Sequence, residues 1–181
     1  MGFILDTIQK LIEPYINDNT IICNKEEFDK LDDEIIRKYI SYRESGHAYY
    51  AVKYKMEIRK ISILKEGTRY GYIDIPYPED MKSEFKKLNP GFRNVAWTTM
   101  NYSGLISGLI FTNILFKETA IRDFLNVIVE YDFSKKTSTK IFCKIFKELR
   151  KDSPRKRINN LSQELMKNNV LTGSQVIKIL N

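Results

Sequence analysis

The chain predicts an α+β domain: a central, mostly antiparallel sheet flanked by N-terminal and C-terminal helices. Apolar residues recur at helical spacing near both ends, about 3–43 and again about 137–181. Between them, about 49–134, they alternate at the two-residue period of strands. A length of 181 residues with 43% hydrophobic and 29% charged content suits one domain, 1–181, with a sizeable core. Helices, then strands, then helices assign the class.

Ile4, Leu5, Ile8, Leu11 and Ile12 follow helical spacing, and Pro14, with no backbone donor to give, ends or kinks that helix. Asn24 opens a second helix as an N-cap, with Glu27 three residues on completing a capping box. Glu26, Glu27 and Asp29 lie in its first turn, where the helix dipole favours acids. Phe28, Leu31, Ile35, Tyr39 and Tyr42 form its buried stripe, and Ser45-Gly46 breaks it. Tyr50, Val52, Tyr54, Met56 and Ile58 then alternate with Ala51, Lys53, Lys55, Glu57 and Arg59, which predicts a half-buried strand. Ile61 and Ile63 continue one residue out of phase, so a bulge is expected at Lys60. Glu66-Gly67 reads as a hairpin turn into a partner strand from Arg69 to Ile75, closed by Pro76 and Pro78.

Met81, Phe85 and Leu88 predict a short helix stopped by Asn89-Pro90-Gly91. Over 92–116, Val95, Trp97 and Thr99 look extended, while Ile106, Ile110 and Ile114 fit a helix. The Thr, Asn and Gly content tips the reading to bent strands. Leu125, Val127, Val129, Tyr131 and Phe133 alternate and predict another strand. Two or three helices follow, covering about 137–151, 154–168 and 173–180. Ser153-Pro154 starts the second, and Thr172 with Gln175 caps the third.

The charge is concentrated. Residues 135–157 hold ten Lys and Arg against Glu148 and Asp152, a local net +8 beside +7 for the whole chain. The first 48 residues net −4. At about 100° per residue, Lys136, Lys140, Lys144, Lys147 and Lys151 fall within about 40° of one line. Ile141, Phe142, Ile145, Phe146 and Leu149 fall opposite. Arg155, Lys156 and Arg157 extend the positive field into the following linker. Such a ridge suits a phosphate backbone, an anionic membrane surface or an acidic protein. The alternative is an ordinary solvated helix face. Tyr49, Tyr50, Tyr54, Tyr70, Tyr72 and Tyr77 crowd the central segment beside basic residues, as in single-strand binders. Their period places Tyr50 and Tyr54 in the core instead. No RRM or KH signature is present.

Nothing in the chain spells out catalysis, a cofactor or a metal centre. His47, the only histidine, follows Gly46 in an expected loop with no recognisable nucleophile or orienting acid. Asp29, Asp32, Asp33 and Glu34 could meet on one helix surface around a divalent ion, but helix-surface acids usually hold none. Glu79-Asp80 with Glu84-x-Lys86 fits a metal-dependent nuclease core poorly, because the groups share one short segment. Cys23 and Cys143 make neither a metal pair nor a disulfide framework. The start of the chain lacks signal-peptide features, Asp6 spoils a myristoylation motif, and the run Leu105–Phe116 is too short to span a bilayer. The expectation is an intracellular, cytoplasmic protein. Pro154-Arg155-Lys156-Arg157 also matches a short nuclear-localisation pattern.

The functional expectation is a non-enzymatic protein that binds nucleic acid, RNA ahead of DNA, through the basic helical face. The second reading is a matrix-like assembly or adaptor protein that self-associates and contacts a membrane surface or protein partner, with 105–116 as its interface. Scarce alanine and abundant Ile, Lys and Asn suit an AT-rich genome: virus, parasite or low-GC bacterium. The small, basic profile resembles that of structural or accessory proteins of RNA viruses, matrix proteins among them. No motif carries that likeness to a family.

Overall fold

Helix α2 (Asp33–Lys53) runs through the middle of the molecule, after β1 (Ile21–Cys23) and the short α1 (Lys25–Phe28). The structure, a computed structural model, describes residues 10–67, 69–76, 80–81, 84–131 and 135–181. After α2 come β2 (Lys60–Glu66), β3 (Arg69–Asp74), α3 (Pro90–Thr112), β4 (Ile114–Phe116) and α4 (Lys117–Tyr131). The C-terminal part holds α5 (Lys135–Leu149), α6 (Asp152–Asn168), β5 (Val170–Thr172) and α7 (Gly173–Leu180). The class is α+β, with a small sheet among many helices. Its three strands run antiparallel in the order β3-β2-β5, and β1 and β4 form a separate parallel pair.

Several elements form for the reasons the sequence contains. Asn24 accepts from the Glu27 amide at 3.0 Å while Glu27 returns a bond to the Asn24 amide at 2.8 Å. Thr172 and Gln175 make the same reciprocal box at the start of α7. Pro14 falls in the 3₁₀ turn Glu13–Tyr15 that ends the helical residues before it. Ile4, Leu5 and Ile8 lie outside the described residues, as do Tyr77, Glu79 and Phe133. Gly67 supplies the positive φ, +61°, that the hairpin turn needs.

The segment 49–134 is not rich in sheet. The expected strand at 50–58 is the end of α2 followed by a turn in which Lys55 has φ 58°. Ser45-Gly46 does not break α2; both residues are buried within it. Gly46 is there because a Cβ would stand 2.3 Å from Ser107 Oγ and 2.5 Å from the Ser103 carbonyl of α3. The bent strands expected over 92–116 are one long helix, α3, ending in β4. Asn89-Pro90, read as a helix stop, is its start: Asn89 accepts from the Phe92 amide at 2.8 Å and Pro90 opens the first turn. The strand expected from Leu125 is, as far as Tyr131, part of α4, whose buried Ala120, Asp123, Phe124 and Val127 follow helical spacing. The sheet irregularity lies between Ser62 and Lys65, not at Lys60. A short 3₁₀ turn, Glu84–Lys87, stands where a helix around Phe85 was expected.

The α2–α3 contact is close because it is built from small residues. Ser103 Oγ donates to the Gly46 carbonyl at 2.8 Å, and a Cβ on Gly108 would approach the Tyr39 ring to 2.7 Å. On its other side α2 meets α6 through Ser41 and Ser162, 2.7 Å between hydroxyls, and Tyr42 donating to Asn159 at 2.7 Å. Residues 39–48 of α2 are buried all round. Among the described residues no helix is long and apolar enough to cross a membrane.

Candidate functional site

α5 is oriented by its apolar side. Phe142, Ile145, Phe146 and Leu149 are each no more than 2% exposed, and burying side chains of this kind is worth about 1.5–3 kcal/mol apiece. Tyr102 of α3 meets Phe142 edge-on, ring centroids 5.5 Å apart, and its hydroxyl hydrogen-bonds Ser138. Tyr15 stacks on Phe146 at 3.8 Å, and the Arg150 guanidinium covers the same ring at 4.6 Å. Ile141 is half-buried at the edge of this side.

With that side fixed, Lys136, Lys140, Lys144, Lys147 and Lys151 are all exposed. The last four border a shallow groove of about 520 Å³ floored by Thr139 and Cys143. Glu148, the one acid at this groove, is tied to Lys53 of α2 in an ion pair. Among the described residues none of the five ridge lysines makes an ion pair. Their field is directed at solvent.

Arg155, Lys156 and Arg157 lie in the first turns of α6 rather than in a linker. Steps of about 100° send them in different directions. Arg155 packs over the Phe111 ring at 5.6 Å. Arg157 borders a recess of about 320 Å³ with Tyr49, Val52 and Lys53. Lys156 is exposed. The three do not prolong the ridge as one face.

A second concentration of charge is buried, and sequence reasoning passed over it. Arg43 Nη2 donates to both carboxylate oxygens of Asp123, at 2.9 and 3.0 Å, and Nη1 donates to Glu44. The residues are 5% (Arg43), 2% (Asp123) and 1% (Glu44) exposed. Burial opposes the Arg43 charge, but Asp123 and Glu44 outweigh it and hold the guanidinium protonated. His47 is in mid-helix rather than in a loop, with Nδ1 2.8 Å from the Met100 carbonyl. A carbonyl only accepts, so the neutral ring carries its proton on Nδ1. Burial, then the nearby Arg43, push the His47 pKa down. The signal was available: Arg43, Glu44 and His47 interrupt an otherwise apolar or small run, Tyr39 to Ala51.

Among the described residues the other acids do not assemble. Asp32 caps α2 by accepting from the Glu34 amide at 2.8 Å. Asp29 pairs with Lys25 at 2.6 Å and accepts from the Tyr70 hydroxyl. Among the described residues no three His, Cys, Asp or Glu side chains converge as a metal site. Tyr50 is buried, while Tyr49, Tyr54, Tyr70 and Tyr72 are half-buried. The chain matches no known protein family and no curated protein.

Proposed function

We propose that the protein binds nucleic acid electrostatically through the lysine ridge of α5, with RNA as the first partner to test and no catalytic step. One observation carries this reading: five exposed lysines, none ion-paired among the described residues, four of them along α5 from Lys136 to Lys147 and the fifth, Lys151, just past its end on the same groove as Lys140, Lys144 and Lys147. At 1.5 Å per residue the α5 part of the row, Lys136 to Lys147, is about 16 Å long. That is the axial length of about five base steps.

The membrane and self-assembly reading has less support. The apolar side of α5 is occupied by the core, so this helix has only adsorption to offer a bilayer, about 1 kcal/mol per lysine near the surface. The run 105–116, the interface expected for a matrix-like protein, is mostly turned inward: residues 105–109 and 114–116 are buried, Ile110, Phe111 and Thr112 are half-buried, and Asn113 alone in the run is exposed. Composition suits a virus no better than a low-GC bacterium, so the proposal does not extend to a source.

Fluorescence anisotropy with short single-stranded RNA across a salt series tests it. Four or five phosphates neutralised give a slope of log K against log salt of about −3. The variant Lys140→Gln/Lys144→Gln/Lys147→Gln should flatten that slope by about 2. Absence of binding at low salt, or binding indifferent to the three changes, rejects the ridge as the site.

A further inference from the structure

We infer, building on the ridge as the site that holds phosphates, that the nucleic acid is taken as a single strand and that one of its bases stacks on Phe92 in a basic recess adjoining the lysine groove. This recess measures about 330 Å³ and lies between Lys53, Tyr54 and Lys55 at the end of α2, the turn Glu84–Lys87, and Phe92 near the start of α3. It meets the groove at one ion pair: Lys53 borders the recess, Glu148 borders the groove, and the two are bonded to each other. Among the described residues the two hollows are lined by seven lysines and two glutamates, a net of +5. Both glutamates are already paired, Glu148 with Lys53 and Glu84 with Lys87. Lys55 is exposed and, among the described residues, makes no ion pair.

Charge alone would serve a duplex as well as a single strand; the aromatic side of the recess separates them. Phe92 is 44% exposed but well braced. Asn89 caps α3 by accepting from the Phe92 amide at 2.8 Å, and the Phe92 ring stands edge-on to Tyr54, centroids 5.8 Å apart. Tyr54 in turn stacks on the buried Tyr50 at 6.2 Å. A row of rings thus climbs from the core to an exposed tip among lysines. A lone exposed phenylalanine is ordinary. One braced from the core beside a cationic groove has the make-up of a stacking platform for single strands. A duplex keeps its base faces against its own neighbours and has none to offer such a ring. At about 30 Å³ per water the recess has room for roughly eleven waters, enough for one base and too little for a duplex to enter.

Lys55 bears on the same point. It has φ 58° just past the end of α2, a left-handed position where glycine is the usual residue. The Met56 amide donates to the Ala51 carbonyl at 2.8 Å and closes the helix end there. Glycine would suit that backbone better. What lysine supplies instead is a positive charge on the recess.

Fluorescence anisotropy with three labelled probes tests the inference: single-stranded oligoadenylate, an abasic strand with the same phosphates, and an RNA duplex. Phe92→Ala should weaken binding of the single strand about tenfold with its salt slope unchanged, and should leave the abasic strand and the duplex as they were. Phe92→Trp should restore the loss. Lys55→Gly should weaken the single strand yet melt no lower than the parent, a split that damage to the fold would not produce. Lys140→Gln/Lys144→Gln/Lys147→Gln should weaken all three probes. Single-strand binding unchanged in Phe92→Ala, or an equal loss for the abasic strand, overturns the stacking site and leaves the ridge standing. A Phe92-dependent strand indifferent to the ridge variant keeps the recess and overturns the ridge. No binding of any probe at low salt overturns both.

Discussion

α2 and α5 both place charge on a helix, and they handle it in opposite ways. On α5 the lysines face water while Phe142, Ile145, Phe146 and Leu149 face the core. Each charge keeps its solvation, so none needs a partner, and together they make a field that reaches outward. On α2, Arg43 and Glu44 are enclosed with Asp123, and no water shell offsets their desolvation. There each charge survives only because another sits within hydrogen-bond reach. The lesson is one of tolerance. Ridge charges can be removed singly at little structural cost, whereas the buried ones stand or fall as a set.

The sharpest way to break that contrast is Arg43→Met. It leaves two carboxylates buried without their shared counter-charge, a loss of about 3–5 kcal/mol, read as a fall in the urea midpoint. A midpoint within error of the parent would show that the cluster is not enclosed as described. Gly104→Ala comes next. Its methyl collides with the His47 ring at 2.2 Å, and overpacking of this kind costs about 1–3 kcal/mol, outweighing the better helix propensity of alanine. Adding His47→Ala should recover part of the loss, a coupling that a double-mutant cycle measures.

Acid should affect the centre through His47, faced by Arg43, Glu44 and Asp123. Above the ordinary value of 6.5 the imidazole is neutral in both folded and unfolded chains, and no pH dependence arises from it. Below that value the unfolded chain takes up a proton that the folded one refuses. Stability then falls by about 1.4 kcal/mol per pH unit until the depressed folded pKa is reached. Urea midpoints from about pH 7 to 5 should show this slope in the parent and lose it in His47→Gln. The smallest structural effect belongs to the ridge. Lys140→Gln/Lys144→Gln/Lys147→Gln should shift the melting temperature by no more than about a degree or two, although it should change the salt dependence of RNA binding most. A large drop in melting temperature would mean that the lysines are part of the packing.

The same contrast explains what could be read in advance. The C-terminal helices and the β2–β3 hairpin were legible because each has one wet and one dry side, with Thr172, Gln175 and Gly67 marking the boundaries. α2 and α3 were not. Their central residues are surrounded, so no polar stripe records the 3.6-residue period, and Gly46, Gly104 and Gly108 serve close helix packing where local rules read them as breaks. In α4 the period was hidden because one of its buried positions is Asp123. The ridge was visible as a charge pattern. The Arg43–Glu44–Asp123 cluster was not, because the third partner is eighty residues away in sequence and only the fold brings it in.

The order of strands also has a consequence for synthesis. β2 pairs on one side with β3, its immediate neighbour, but on the other with β5, more than a hundred residues later. While the chain is being made, the hairpin emerges with that inner edge unpaired and Leu64 exposed beside it, a template for another nascent chain. The sheet is completed only when α6 delivers β5 alongside. Chains stalled or clipped before residue 170 are thus the ones expected to aggregate or to occupy chaperones.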